Sequence, residues 1–565
     1  MDLDLGPYRP AVEAALEALD AQDIIRRIWS HDHTVWKPDP EDIANRLGWL
    51  HSAATSAEHL GRLEKFRRSI QDAGYKRALL LGMGGSSLAP ELFNLTFGYQ
   101  EGYPALDVLD STAPAQVLSY AAELEPAETL FVVASKSGTT TETLSFFKFF
   151  YNWTVDALGD SEAGAHFVAI TDPGSHLVEL ANRHRFRELF LNDLNDPNIG
   201  GRYSALSFFG LIPAALVGTD LPQLLRNART MASRCGPEVA VEDNPAARLG
   251  AMLGQLARAG RDKATFVISP QIAAFADWTE QLLAESTGKG GTGILPVVRE
   301  PLGPPSLYGD DRLFVHIYLE GDTETGLGLQ ALEEAGHPVL HEPLPGVYDL
   351  GGQFFLWEMA TAIAGHLMAI NPFDQPNVES AKVRAREMVA AFQETGELPS
   401  ETPILSLPGV TVYGDVAAND LAGAITAFLA PASGGDYIAL QAFVDPRPET
   451  TAALQALRLK LRDQYRLATT LGYGPRFLHS TGQLHKGDAG NGFYLQFTAD
   501  HPQEAAIPDT AGAPESSMGF GTLIDAQALG DRKALLEARR PIIRFHLGEP
   551  VAGNAARLTR ALEET

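Results

Sequence analysis

Apolar residues recur at helical spacing through AVEAALEALDAQDIIRRI, residues 11–28, and a second, more polar helical stretch is predicted over residues 40–70. Asp39 and Pro40 supply its start signal. From residue 77 the period changes. KRALLLGMGG, ETLFVVASKSG and HFVAITDPG are short apolar runs that end in glycine- or hydroxyl-rich loops, with helical stretches such as TLSFFKFFYNWTVDAL between them, and FRELFLNDL is a further candidate strand. This alternation predicts a mostly parallel sheet with helices on both faces. The same grammar restarts at ATFVISP, residues 264–270, and continues through GILPVV, RLFVHIYL and HPVLHEPL. A long helix is predicted across GGQFFLWEMATAIAGHLMAI with Pro372 as its stop, and REMVAAFQETGE closes the unit as helix and turn. Beyond residue 401, DYIALQAFV, RFLHSTG, GFYLQFTAD and PIIRFHL are predicted strands, and the run between Thr450 and Leu467 is predicted helical.

These patterns divide the 565 residues, too many for one core, into an N-terminal helical segment (1–70), two α/β domains (71–235 and 236–400) and a third, C-terminal α/β domain (401–565). Charge narrows the partners. With 71 acidic against 44 basic residues the net charge is -27, which argues against nucleic acid or an anionic membrane surface, so an anionic ligand needs a local basic pocket. Cys235 stands alone, which excludes an intrachain disulfide framework and fits a reducing compartment. No apolar run reaches the roughly 18 residues of a membrane span, and MDLDLGPYRP lacks a signal peptide's basic start, so a cytoplasmic protein is expected. His31 and His33 in WSHDHTVW have no neighbouring metal-ligand partners, and this segment is expected to be a docking turn anchored by Trp29 and Trp36.

Candidate chemistry starts at the two strand-to-loop junctions. LLLGMGGSS offers Gly82, Gly84 and Gly85 for close approach and Ser86 and Ser87 as hydroxyl donors, but it has no GK[ST] ending and is no Walker A loop. VVASKSGTTTET groups Ser135, Lys136, Ser137, Thr139 and Thr140 just before a helical stretch, and the two loops together point to a phosphorylated small molecule. Downstream, Arg202 follows two glycines in PNIGGRYSALS, and Glu285 precedes a glycine-rich turn in LLAESTGKGG. A guanidinium can stabilise a developing oxyanion and a half-buried glutamate can act as a general base. NPFDQPNVESAKV contributes Gln375 and Lys382. RFLHSTGQLHKGDAGNG gathers His479, Ser480, Thr481, Gln483, His485 and Lys486 between glycines, without the further ligands a zinc site needs. No nucleotide fingerprint is present.

Taken together, GMGGSS, SKSGTTTET, GGRYS, ESTGK and NPFDQPNVESAK resemble, in order, five segments of the phosphoglucose isomerase family. NRLGWL and GPRFLHSTGQLHKG are more similar to the isomerase half of fused transaldolase/phosphoglucose isomerase proteins, although no transaldolase domain precedes the isomerase segments here. The resemblance implies two sugar-isomerase-type parallel-sheet sandwich domains, no metal and no cofactor, hexose 6-phosphate as ligand, and a homodimer. Association with a separate transaldolase is left open. Carried over by residue, it implies Ser86, Ser135, Ser137 and Thr140 at the phosphate with Gly85 and Lys136 beside them, Arg202 at the enediol oxygens, and Glu285 as the base between C1 and C2. Gln281 and Gln375 are the implied ligand-binding glutamines, and Lys382 lies at the ring oxygen.

One departure stands out. The family has a ring-opening histidine some 20 to 30 residues past the base, where this chain has EPLGPPSLYGDDRLF with Ser306 and Tyr308. That leaves Lys382, or His479 or His485 reaching in from the third domain, as candidates for ring opening. The implied reaction is interconversion of glucose 6-phosphate and fructose 6-phosphate through a cis-enediolate. The alternatives are a phosphomannose or other sugar-phosphate isomerase on the same scaffold, and a sugar-phosphate-binding regulator without catalysis.

Overall fold

The computed structural model describes residues 2–564. Its first strand, β1 (Asp2–Asp4), pairs antiparallel with a strand far downstream in the second sheet. The first sheet contains β2 (Arg77–Gly82), β3 (Ala105–Leu109), β4 (Thr129–Ala134), β5 (Phe167–Thr171) and β6 (Glu188–Leu191), all parallel in the order β3-β2-β4-β5-β6. β4 is buried at every position, as expected for a central strand covered on both faces. The second sheet joins β7 (Lys263–Ile268), β8 (Leu295–Val297), β9 (Arg312–Leu319) and β10 (Val339–Leu344) in the order β1-β10-β9-β7-β8.

In the third sheet, β11 (Leu405–Leu407) and β12 (Val410–Tyr413) form an antiparallel flank. The parallel part consists of β13 (Tyr437–Phe443), β14 (Ala468–Tyr473), β15 (Gly492–Ala499) and, after a short β16–β17 hairpin (Ala506–Ile507, Met518–Gly519), β18 (Ile542–Leu547). The order is β11-β12-β18-β15-β13-β14. The architecture is therefore several mostly parallel α/β sheets preceded by helices. One continuous core runs from the N-terminal helices through the first two sheets, including Trp49, Leu80, Val132, Val315 and Phe355. The third sheet has its own core around Leu440, Leu457, Leu495 and Phe545.

Three expected elements differ. The helical run 11–28 is two helices, Arg9–Ala21 and Ile24–Trp29, parted where Asp23 adopts a left-handed φ of +53°. The stretch 40–70 is interrupted by turns before helices Ser52–Glu58 and Leu60–Asp72, because Gly48 packs so closely on the 195–198 segment that a Cβ there would lie 1.8 Å from the Pro197 carbonyl oxygen. RFLHSTG is not a strand. The pairing edge is β14 just upstream, and after Pro475, which has no N–H to offer, the chain turns through Arg476–His479 into the helix Gly482–Gly487. The docking turn does form around its tryptophans: Trp29 Nε1 donates to the Cys235 carbonyl (2.9 Å) and Trp36 Nε1 to that of Ala362 (2.8 Å). Cys235 itself is enclosed, and burial pushes its thiol up to about 12. Among the described residues no helix is long and apolar enough to cross a membrane.

The third sheet is fastened to both others by charge, half-buried at one seam and fully buried at the other. Arg476 forks onto Glu91 and lies 3.2 Å from Asp110, both in the first unit. Glu300, on the second unit, is surrounded by Arg312 (3.3 Å), Arg458 (3.9 Å) and Arg462 (3.9 Å). Such pairs tie the geometry of the third unit to the strand ends where a site would lie. The helix Val378–Thr395, at the end of the second unit in sequence, also lies on the helix Phe520–Glu537 of the third, where a Cβ on Gly530 would come within 2.6 Å of Ala385 N.

Candidate active site

β2 and β4 are neighbours, with Gly82 opposite Ala134, so the loops that follow them emerge side by side at the carboxyl edge of the first sheet. The first loop is the turn Gly84–Ser86. Gly84 has φ +55°, and a Cβ there would meet Gln281 Nε2 at 2.9 Å and the His479 carbonyl oxygen at 3.0 Å; a Cβ on Gly85 would lie 2.1 Å from the Gly201 carbonyl oxygen. Glycine is required at both positions because three segments converge on this turn: the arginine turn, the helix Phe275–Thr287 and the third unit.

The second loop is organised by its own hydroxyls. Ser135 Oγ is 3.1 Å from Thr140 Oγ1 and accepts from Gly138 N (3.1 Å), while Ser137 Oγ is 2.9 Å from Thr139 Oγ1. The helix Thr141–Leu158 begins directly after it without a side-chain cap, leaving a turn of backbone donors toward the loop. Lys136 is turned away: Nζ lies 2.7 Å from Asp172 Oδ2 and 3.2 Å from Asn198 Oδ1, so its charge is answered inside the protein.

Arg202 is 2% exposed and fully engaged. Nε donates to Ser286 Oγ (2.8 Å) and Nη2 to the carbonyls of Pro372 (2.7 Å) and Asp374 (3.0 Å), while Nη1 lies 3.1 Å from both Gln375 Oε1 and Glu285 Oε1. Glu285 shares its helix with Gln281 one turn earlier, and Gln281 Nε2 bridges Glu285 Oε2 (3.2 Å) and the His479 carbonyl (2.8 Å). Lys289 is held by Asp374, and burial, with Arg202 adding to it, draws its ammonium down to about 8.

His479 enters from the third unit. Its Nε2 lies 3.1 Å from Glu142 Oε1, which also accepts from Gln527 Nε2 (2.7 Å); Gln527 Oε1 in turn accepts from Thr112 (2.8 Å). Burial opposes ionisation of Glu142, yet His479, its own backbone N–H and the charge of Lys382 bring its carboxyl below the usual value. Lys382 is exposed and near enough for Glu142 to feel it.

The expected residues thus separate into groups. Gly85, Ser86, Arg202, Gln281, Glu285, Gln375 and His479 converge, with Ser135, Ser137 and Thr140 on the adjacent loop. His485 does not join them: at 2% exposure its ring packs against Tyr437, Phe477 and Tyr494, its Nδ1 lies 3.2 Å from Gln441 Nε2, and burial holds it well below the ordinary histidine value. Tyr308 belongs to the junction of the second and third units, with its hydroxyl on Gly303 N and the guanidinia of Arg312 and Arg462 over its ring. Sequence reasoning passed over Glu142 and Gln527. Glu142 had a signal, an acid directly after the hydroxyl loop; Gln527 sits mid-helix with none.

A model of the phosphoglucose isomerase family matches residues 66–297, which includes both hydroxyl loops, Arg202 and Glu285. A glucose-6-phosphate isomerase of Symbiobacterium thermophilum is 30% identical over 373 residues, covering 56% of this chain and 82% of that protein. That of Thermus thermophilus is 30% identical over 393 residues, covering 61% and 90%. The chain belongs to the phosphoglucose isomerase family. Among solved structures, a hypothetical protein of Thermus thermophilus matches with a TM-score of 0.59 at 27% identity over 69% of this chain and 99% of that one. A glucose-6-phosphate isomerase from Chlamydia trachomatis, at 18% identity and a TM-score of 0.56 over 68% of this chain and 86% of that one, shares the fold. The family model ends at residue 297, upstream of Gln375, Lys382 and His479, so the part of the site that closes over Glu285 lies outside its match.

Proposed function

We propose that this chain is a sugar-phosphate isomerase that interconverts glucose 6-phosphate and fructose 6-phosphate through a cis-enediolate. The observation that carries the reading is the pairing of Glu285 with Arg202 at 3.1 Å beside the two hydroxyl loops. Ser86, Ser135, Ser137 and Thr140, with the backbone donors around them, hold the phosphate, and anchoring one end of the sugar turns proton abstraction into positioned chemistry. Glu285 takes the C2 proton and returns it at C1. Arg202 faces the oxygens on which charge develops, and Gln281 fixes the unused carboxylate oxygen of the base.

Ring opening falls to His479. It stands over the phosphate loop at Gly84, and Glu142 behind it orients the imidazole, the arrangement a carboxylate-backed histidine needs to pass a proton to and from the ring oxygen. Lys382 contributes positive charge at the same mouth. In this reading the third unit, residues 401–565, supplies in the same chain the group that the family places shortly after its base, in keeping with the resemblance to the isomerase half of fused transaldolase/phosphoglucose isomerase proteins. The reading includes a homodimer, which light scattering after gel filtration tests.

The deciding experiment follows exchange of the C2 proton with solvent in the wild type and in Glu285→Gln, with glucose 6-phosphate and mannose 6-phosphate as parallel substrates. Exchange on glucose 6-phosphate that is lost in Glu285→Gln supports the proposal. Negligible turnover of glucose 6-phosphate beside rapid turnover of mannose 6-phosphate would make the chain a phosphomannose isomerase, and binding without exchange on either sugar would make it a regulator.

A further inference from the structure

The third sheet has a topological switch point of its own. From β13 the chain steps to β14 on one side and then to β15 on the other, so the strand order reverses between β13 and β15. In open parallel sheets the crevice beyond the carboxyl ends at such a reversal is where ligands bind. A cleft of about 540 Å3 lies there, lined by the residues that directly follow β13, β15 and β18 and closed on the far side by Ala113–Ala115 of the first unit. Its size falls within the roughly 300–1,000 Å3 of small-molecule sites.

Three helices begin at this cleft, Pro114–Glu123, Pro448–Tyr465 and Val551–Glu563, and none has a side-chain cap. Among the described residues no acceptor is recorded for the backbone N–H of Ala115, Glu449, Thr450, Val551 or Ala552, all of which line the cleft. A side chain adds to this: Thr450 is only 3% exposed, borders the cleft, and its hydroxyl has no hydrogen-bond partner among the described residues. Acceptors line the same cleft: Asp445 is paired with Arg447, Asp500 lies 3.1 Å from His546, and Glu449 and Glu549 flank the helix starts.

The mixture selects the ligand. Four lining carboxylates, Asp445, Glu449, Asp500 and Glu549, outnumber Arg447 and His501, so a phosphate dianion is repelled, while three helix N-termini, each equivalent to roughly +0.5 of a charge, oppose a bare cation. A hydroxyl group both donates and accepts, and a molecule carrying several can satisfy the N–H groups and the carboxylates together. We propose that this cleft is a second ligand site that takes a neutral polyol of sugar size, separate from the site around Glu285.

The test uses the full chain and D-sorbitol, an unphosphorylated hexitol, in saturation-transfer NMR with a titration. Ala552→Glu puts a carboxylate into the cleft at the first turn of Val551–Glu563, where an acid favours the helix. Thr450→Val keeps the shape and removes the free hydroxyl, so it carries the test should the first variant fold poorly. The wild type is expected to show transfer to sorbitol, weakened at least fivefold in both variants and unchanged when saturating glucose 6-phosphate fills the site around Glu285. The proposal is overturned by no transfer to the wild type, by transfer that survives both cleft variants, or by transfer that glucose 6-phosphate abolishes. Displacement of sorbitol by inorganic phosphate with glucose 6-phosphate already bound would mark an anion site and overturn the assignment of a neutral ligand.

Discussion

Arg202 Nη1 and Glu285 Oε1 stand 3.1 Å apart at the bottom of the site, and the guanidinium does not depend on that carboxylate for its position. Its Nε and Nη2 donors go to Ser286 and to the carbonyls of Pro372 and Asp374. The arginine is thus fixed by the fold, and the carboxylate is held only at its two oxygens, by Arg202 Nη1 and Gln281 Nε2. A base must move a proton between two carbons, and an oxyanion partner must stay where it is.

This separation makes Glu285→Gln an informative change. The amide preserves the shape, and Gln281 and Arg202 keep their other partners. Turnover and C2-proton exchange should fall by about 10²- to 10⁴-fold, the usual worth of a positioned general base. Binding of a hexose phosphate, followed by calorimetry, should change by less than about tenfold. Exchange at the wild-type rate would remove Glu285 as the proton carrier.

His479 and Glu142 should act on one step. In His479→Ala, turnover of the cyclic sugar phosphate should drop by about 10- to 100-fold while proton exchange on the open-chain form is retained. Glu142→Gln should give a smaller loss in the same step, because the ring keeps a hydrogen-bond partner at that position but loses the carboxylate that orients it. Stopped-flow measurement of ring opening beside proton exchange separates the two, and equal losses in both steps would assign His479 to the packing of the loop instead.

The two hydroxyl loops, Arg202 and Glu285 were legible in sequence because each lies in a short segment where chemistry and turn signals coincide. The parallel strands behind them were legible for a similar reason: covered on both faces, they appear as unbroken apolar runs. Long-range placement was not legible. Nothing local in RFLHSTG distinguishes an edge strand from a turn, and only Pro475 and the pairing of β14 decide it. The contrast between His479 and His485 is also tertiary. They are six residues apart in one glycine-bounded loop, yet one faces Glu142 across a unit boundary and the other is enclosed by aromatic rings. Lys136 likewise has the composition of a phosphate ligand, and Asp172, brought beside it by β5, takes its charge.

Arg476 precedes His479 by one turn and is the clamp that holds it in register. Its fork on Glu91 and its contact with Asp110 leave two acids without their main cationic partner if it is removed. Arg476→Ala should cost about 1–3 kcal/mol in denaturant unfolding, less than a fully buried pair because both side chains are part-exposed, and should lower ring opening together with stability. The double change Arg476→Leu with Glu91→Leu should recover much of the stability, since well-packed apolar pairs often replace a buried ion pair without loss. Recovery of stability without recovery of ring opening would show that the clamp serves position as much as cohesion.

Glu280 gives the pH dependence a sign. Burial, with the neighbouring Asp277 adding to it, pushes its carboxyl up from an ordinary 4.5 to about 8. Between those values the unfolded chain has released this proton and the native chain still holds it. The native form therefore binds more protons, and stability falls as pH rises through the window. Glu280→Gln removes that slope. The variant should match the wild type near pH 5 and become progressively more stable than it toward pH 8, by about 1–3 kcal/mol given that the carboxyl is only half-buried. Above pH 8 both states are ionised in the wild type and the difference should level off. Urea unfolding at a series of pH values measures it, and a difference that shrinks as pH rises would show that Glu280 is already ionised in the native protein.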